Sequence, residues 1–310
     1  MATDILTLSN SMEFMHVPAG RFLMGSNSDF ALHHQEYPQH TVNIPYDYWM
    51  GRFLVTNELY HAYTKAIGTK HFIGGRHWRK KKDHPVIYVE WDDARIYCQW
   101  LSDLFIGELP SGLVLRLPTE AEWEKSARGE FGNVWPWGNE FDKNKCNTYE
   151  GGKGDTTPVD MYSPQGDSPY GCADMVGNVW EWTQNTLRSY PYRANDGLEY
   201  EDENGSDDRV LRGGSYANAQ DMTDCCFRHL LGGAIYLHNV GFRVVCSLPL
   251  PPSKDNHGWK ELYKQGNDGV WVVNGWKTDE RMTERGGCHF GVGEAVRAAG
   301  CGFRRASLRD

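Results

Sequence analysis

Residues 229–238 hold two histidines, a tyrosine, four aliphatic side chains larger than glycine or alanine, and two glycines. They have neither the helical nor the alternating period that would bury one clean face. The stretch is framed on one side by Arg212-Gly-Gly-Ser215, whose glycines permit positive φ or close backbone approach. On the other side Val240-Gly-Phe-Arg-Val-Val245 is a β-rich run that reads as a buried closing strand. A rigid frame around an irregular, chemically mixed loop suits a binding surface. Tyrosine, histidine and leucine there supply aromatic and apolar contact area at low entropic cost. The residues expected to form the ligand surface are Ala217, His229, Leu230, Leu231, Ile235, Tyr236, Leu237 and His238.

Three other groups could do chemistry. Eight cysteines lie at 98, 146, 172, 225, 226, 246, 288 and 301 without any C-x-x-C spacing, which leaves a zinc ribbon or a dithiol redox pair unsupported. Cys225 and Cys226 are adjacent, and on a strand their side chains would face opposite ways. The thiols therefore read as reduced and partly buried. His33, His34 and His40 are close in sequence, but the adjacent pair is poor ligand geometry and no carboxylate completes a facial triad. Asn147, Asp160, Asp174 and Glu181 are hard oxygen donors in or near residues 139–170, a long run of turn formers that needs something to hold it. Calcium prefers such oxygens together with backbone carbonyls.

The elements that must position these groups follow from local signals. Residues 13–25 read as two short strands around a Pro-Ala-Gly turn, and 40–55 as another strand pair. Thr56 caps a helix with Tyr60, Tyr63 and Ala66 on one face. A second helix starts at Trp91, with Asp92 and Asp93 in its first turn and a buried stripe of Ala94, Tyr97, Cys98 and Leu101. Leu115-Arg-Leu117 is a short strand. Thr119 with Glu122 three residues on opens a third helix that turns Trp123 and Ala127 inward. With 34 glycines and 12 tryptophans, the composition points to a loop-rich α+β protein with short strands rather than a bundle or a βαβ array.

At 310 residues the chain can bury a sizeable core. Its net charge of −9 argues against nucleic acid or an anionic membrane as the main partner. The basic run at 76–82 reads as a solvated loop. No apolar stretch is long enough for a membrane span, and no basic-then-apolar leader is visible, so the expectation is a cytoplasmic protein.

Several motifs occur in order: Pro18-Ala-Gly-Arg-Phe-Leu-Met-Gly25, Val55-Thr-Asn57, Arg116-Leu-Pro-Thr-Glu-Ala-Glu-Trp-Glu124, Trp137-Gly138, Asp174-Met-Val-Gly-Asn-Val-Trp-Glu-Trp-Thr183, Arg212-Gly-Gly-Ser215 and Gly241-Phe-Arg243. Together they resemble the formylglycine-generating enzyme (sulfatase-modifying factor) family over residues 12–247. The resemblance implies a C-type-lectin-like α+β fold: short antiparallel strands, two or three helices and many ordered loops. It also implies two structural calcium sites. One would use Asn147 and Asp160 with the carbonyls of Thr148 and Tyr162. The other would use Asp174 and Glu181 with the carbonyls of Gly177 and Val179, Asp174 standing where the enzymes have asparagine.

The oxidising members of this family need a cysteine pair after Arg-Gly-Gly-Ser, which binds copper. In that register the pair falls at Asn218 and Thr223, which are not soft ligands, so no copper is expected. A second branch holds iron with histidines from an extra helical domain that has no counterpart before residue 12. A third branch, the variable proteins of diversity-generating retroelements, uses the fold to display a diversified binding surface. Their adenine-directed variation excludes Lys, Met, Gln, Glu and Trp, and residues 229–238 contain none of these. The expectation is therefore a non-catalytic binder of a protein or other macromolecule. The rivals are a metal-dependent oxidoreductase of the family and its inactive paralogue.

Residues 248–253 read as a stiff proline-rich linker. Residues 254–310 form an extension whose Gly-Val-Trp271, Arg285-Gly-Gly and Gly-Phe-Arg304 echo the main domain and suggest a partial repeat.

Overall fold

The computed structural model describes residues 4–27, 34–68, 78–193, 208–235 and 237–250, plus two short strands further on. The expected strands around Pro18-Ala-Gly20 form as β2 (Glu13–Val17) and β3 (Gly20–Met24), after a short β1 (Ile5–Thr7). The next two, β4 (His40–Ile44) and β5 (Tyr48–Gly51), do not pair with each other as their sequence proximity suggests. β4 pairs with β3, whereas β5 lies between β2 and β11 (Val245–Ser247). With β6 (Val114–Arg116) these build a five-stranded sheet in the order β1-β2-β5-β11-β6. Short connections bring the chain from one sheet to the other, so neighbouring strands need not be partners.

The second sheet is β10-β7-β8-β9, formed by β7 (Trp180–Thr186), β8 (Asp208–Arg212), β9 (His229–Gly232) and β10 (Val240–Gly241). The expected closing strand over 240–245 is thus split in two. Between its halves the carbonyls of Phe242 and Val244 accept from Val55 N at 3.0 Å and Gly51 N at 2.8 Å. Gly241 is required at the break, because a Cβ there would lie 2.5 Å from the carbonyl oxygen of Val86.

Three α-helices form, with the expected caps at Thr56 and Thr119 and one at Glu90 that is not expected from the sequence. In α1 (Asn57–Ala66) Thr56 Oγ1 accepts from Leu59 N. In α2 (Trp91–Phe105) Glu90 and Asp93 form a reciprocal cap, and Ala94, Tyr97, Cys98 and Leu101 are buried. In α3 (Glu120–Arg128) Thr119 and Glu122 form a capping box, and every residue is buried, charged ones included. A helix with five charged side chains cannot sit inside a protein unless each finds a partner, as Lys125 Nζ does by donating to the carbonyls of Pro18 and Gly20. Some of those partners are local, Arg116 and Arg128, and others, Arg212 and Arg228, come from far along the sequence.

Arg116 makes two 2.8 Å bonds to Glu122. Glu124 is held by Arg128 and Arg212, and Glu120 by Arg228. Trp123 Nε1 donates to Glu181 Oε2 at 2.9 Å, and Glu181 also accepts from Arg243 Nε at 2.6 Å and Nη2 at 2.7 Å. Trp91 Nε1 donates to the Thr183 carbonyl and Trp182 Nε1 to that of Val89, each at 2.9 Å. The motif residues therefore fasten the third helix and the second sheet together. Beyond residue 250, β12 (Tyr263–Gln265) and β13 (Trp271–Val273) pair antiparallel. Trp271 of the first repeat motif opens β13, whereas the remainder of the linker and the motifs at 285–287 and 302–304 lie outside the described residues.

Candidate binding face and buried polar cluster

β8 ends at Arg212, which is fully buried, and the chain then turns through Gly213 (φ 90°) and Gly214 (φ 73°). A Cβ on Gly214 would stand 2.5 Å from Thr223 Cγ2, so the second glycine lets the following loop fold back. Ser215 N and Oγ donate to Asn218 Oδ1 at 3.1 and 2.5 Å, and Asn239 Nδ2 donates to Ser215 Oγ at 3.0 Å. Position 218 is thus a loop-closing amide. Position 223 is a wholly buried threonine whose Oγ1 donates to the Gln220 carbonyl. The adjacent Cys225 and Cys226 lie in a turn rather than a strand, and both are buried. Burial pushes both thiols far above their ordinary range.

Residues 229–238 divide into two parts. His229–Gly232 is the edge strand β9, paired with β8 from Leu211↔His229 to Asp208↔Gly232. His229 is exposed but its ring rests against Trp180 at 5.0 Å between centroids. Leu230 and Leu231 are half-buried, and Leu231 packs on the main core. The alternation that would mark this strand is absent because two leucines in succession face two different environments.

The second part is a loop pinned to the segment before α2. Trp91 N donates to the Gly233 carbonyl and Tyr88 N to the Leu237 carbonyl, each at 3.0 Å. Ile235 and Leu237 are 46% and 37% exposed, and His238 and Ala217 are also exposed. Tyr236 lies outside the described residues. The His238 ring is 6.5 Å from that of Tyr88 and 6.2 Å from that of Tyr216. Tyr88, held at φ 60°, is 39% exposed. Tyr149, 71% exposed, is tied in through its N–H to the Asn218 carbonyl at 2.9 Å. The fold thus assembles an aromatic and apolar face from Leu237, His238, Tyr88 and Tyr216. Tyr88 and Tyr216 are not legible as site residues from sequence. The only signal is that Tyr216 follows the double-glycine turn directly.

The expected calcium ligands fall into two groups that the bridge between Asn147 and Gly177 draws together. A Cβ on Gly177 (φ 80°) would meet the Asn147 carbonyl oxygen at 2.4 Å, so the approach needs glycine. Asn147 Nδ2 donates to the Asp155 carbonyl at 2.9 Å, whereas its Oδ1 and the Thr148 hydroxyl are buried without a partner. An orphaned buried oxygen fits a hard cation. Asp160 is exposed and Tyr162 half-buried nearby in sequence. In the second group Asp174 is buried at φ 52° and accepts from Asn178 Nδ2 at 2.8 Å. Burial pushes its carboxyl up to about 7. Val179 is fully buried. Glu181 differs: both of its oxygens already serve Arg243 and Trp123, so it would enter any cation site as the neutralised half of an ion pair.

Near the Arg212–Glu124 pair, Glu36, Asp224 and Cys226 converge. Cys226 Sγ is 3.0 Å from Asp224 Oδ1 and 3.7 Å from Glu36 Oε2. Asp224 Oδ1 also accepts from Cys226 N at 2.9 Å and Phe227 N at 2.7 Å. Of the three histidines read as poor metal ligands, His33 lies outside the described residues. His40 is occupied, with Nδ1 2.8 Å from the Pro38 carbonyl and Nε2 accepting from Tyr192 N.

The sulfatase-modifying factor enzyme 1-like domain model matches residues 6–248. Inactive C-alpha-formylglycine-generating enzyme 2 of Bos taurus is 41% identical over 154 residues, which cover 46% of this chain and 42% of that protein. The matched region is thus less than half the length of this curated relative. Among solved structures, PvdO from Pseudomonas aeruginosa superimposes with a TM-score of 0.68 at 25% identity, covering 79% of this chain and 98% of its own. Treponema denticola variable protein 1 gives 0.62 at 24% identity, covering 80% and 99%, and establishes likeness of fold alone. Among the described residues three α-helices, a five-stranded and a four-stranded sheet with smaller strand pairs, and long ordered loops make up the C-type-lectin-like architecture expected from the motifs. The chain belongs to the sulfatase-modifying factor enzyme 1-like, or formylglycine-generating enzyme, domain family.

Proposed function

We propose that this domain is a non-catalytic binding module that presents a diversified face to a protein or other macromolecular ligand. The observation that carries the reading is the loop 233–238. Its backbone is anchored at Gly233 and Leu237, while Ile235, Leu237 and His238 stand out beside Tyr88. Exposed aromatic and aliphatic side chains on a fixed backbone lose little entropy on binding. Ala217 belongs to the same proposed surface, whereas His229, Leu230 and Leu231 would contribute from the strand edge. The absence of Lys, Met, Gln, Glu and Trp from 229–238 supports diversification by adenine-directed variation.

Two further observations support a non-catalytic role. Asn218 and Thr223 occupy the positions of the oxidase's cysteine pair and hold the loop by hydrogen bonds. The bovine relative is itself named as inactive. Calcium at the Asn147 group, and beside it at Asp174, would fasten the 139–170 loop on which Tyr149 is carried. We place the protein in the cytoplasm on the sequence alone. Among the described residues no helix is long and apolar enough to cross a membrane.

The test is to sequence the gene and its flanking DNA across sister cells. Variation concentrated in the codons for residues 217–238, with a near-identical template beside a reverse transcriptase, is the expected result. Invariant codons and no template would remove the diversified reading. Copper-dependent oxidation of a peptide cysteine by the purified chain would replace it with the oxidase reading.

A further inference from the structure

We propose that Glu36, Asp224 and Cys226 form a zinc site with one open coordination position. Each offers a donor atom, and the three atoms lie within 4.8 Å of one another. A thiolate with two carboxylates is a borderline-soft set that suits zinc better than calcium or magnesium, which take oxygen alone. Zinc bonds of about 2.3 Å to sulfur and about 2.1 Å to oxygen set tetrahedral ligands roughly 3.6 Å apart. Cys226 Sγ and Glu36 Oε2 already stand 3.7 Å apart.

The surroundings leave both carboxylates without a bonded cationic side chain. Three buried arginines lie next to the cluster, yet none hydrogen-bonds to the Glu36 or Asp224 carboxylate. Arg128 donates to Glu124 and to the carbonyls of Gly25, Gly132 and Asn133. Arg212 serves Glu124, Glu120 and the Phe227 carbonyl. The Arg228 side chain serves Glu120 and the carbonyls of Gln35 and Arg188, and only its backbone N–H reaches Glu36, at 3.3 Å. The two carboxylates thus converge on the Cys226 thiol with no cationic side chain bonded to either, an arrangement that a divalent cation would complete.

Asp224 is also oriented in the manner of a metal ligand. The N–H groups of Cys226 and Phe227 hold Asp224 Oδ1, and Oδ2 accepts no hydrogen bond among the described residues. Backbone donors on one carboxylate oxygen fix the direction of the other. Glu36 and Cys226 are buried, whereas Asp224 is only half-buried, which leaves a side for water to complete the coordination. Binding would release the thiol proton and displace the Cys226–Asp224 hydrogen bond without change of oxidation state. This site is separate from the face at 233–238, and neither proposal needs the other.

Cobalt(II) titration of the full chain tests it. One equivalent should bring up a thiolate-to-cobalt charge-transfer band with the visible absorption of tetrahedral cobalt, and zinc should bleach both. Cys226→Ser should abolish the band, and Cys225→Ser should keep it. Asp224→Asn, which retains the oxygen that the two N–H groups hold, should weaken zinc roughly tenfold or more. Zinc should also raise the melting temperature of the wild-type chain but not of folded Cys226→Ser. If Cys226→Ser does not fold, the Asp224→Asn affinity decides. No band in the wild type, a band that survives Cys226→Ser, or an unchanged affinity in Asp224→Asn would overturn the site.

Discussion

The interior beneath β7 and β8 and the loop at 233–238 follow opposite rules. The interior holds charges where apolar side chains would be expected: Arg212, Arg243, Glu122, Glu124 and Glu181 are all fully buried. The loop leaves Ile235 and Leu237 exposed where apolar side chains would be covered. The interior is over-determined. Arg243 alone bonds to both Glu181 oxygens and to the carbonyls of Gly51 and Ala173, joining strands from both sheets. The described anchors of the loop at Gly233 and Leu237 are backbone carbonyls, so its exposed side chains can change without unmaking those bonds. The residue types that identify the family therefore belong to scaffold, and the face proposed for binding carries no motif.

The largest effect should come from breaking the interior. Arg243→Met leaves Glu181 buried with Trp123 as its remaining donor, and removing one partner of a buried pair costs about 3–5 kcal/mol. Urea denaturation measures this, and a loss below about 1 kcal/mol would reduce the pair to the value of a surface salt bridge.

Acid should dismantle the same interior more gradually. Burial pushes the Glu122 and Glu124 carboxyls up, but Arg116 beside the first and Arg212 with Arg128 beside the second more than offset it and hold both below the ordinary range. Between the lowered folded value and the ordinary one the unfolded chain binds more protons, so stability rises with pH there and is lost as pH falls through the folded value. In the chelator-treated chain, free of the proposed calcium, Asp174, pushed up to about 7 by burial, has the opposite sign: the folded state keeps the proton, and stability declines between the ordinary carboxylate value and neutrality. Urea titrations from acid to neutral pH should therefore show a maximum in the mildly acidic range. A stability that climbs monotonically to neutrality would contradict it.

The smallest effect belongs to the loop. Leu237→Asp should change stability by less than about 0.5 kcal/mol, since the anchor at this position is the carbonyl oxygen. A loss comparable with that of Arg243→Met would show that the loop is part of the core and would erase the contrast.

Much of the scaffold is local and so was legible. The caps at Thr56 and Thr119, the buried stripe of α2 and the glycines after Arg212 each depend on residues within a few positions. The register of the cysteine pair was likewise readable, because Asn218 and Thr223 are counted from a motif. Less was legible where neighbours in sequence part company in space. Strands β4 and β5 join different sheets, β9 hides in a run without alternation, and residues 240–245 break at Gly241.

By itself the sequence determined the family, the helices and their ends, and the residue types of the charged interior, since each rests on periodicity, capping or an ordered set of motifs. Only the tertiary structure decided which of those types meet. Tyr88 and Tyr216 flank His238 because the loop bonds back to the segment before α2. Glu36 reaches Cys226 across a separation of 190 residues. Helix and strand periods carry no information about such encounters, which are set by how two sheets and a buried helix close around one another.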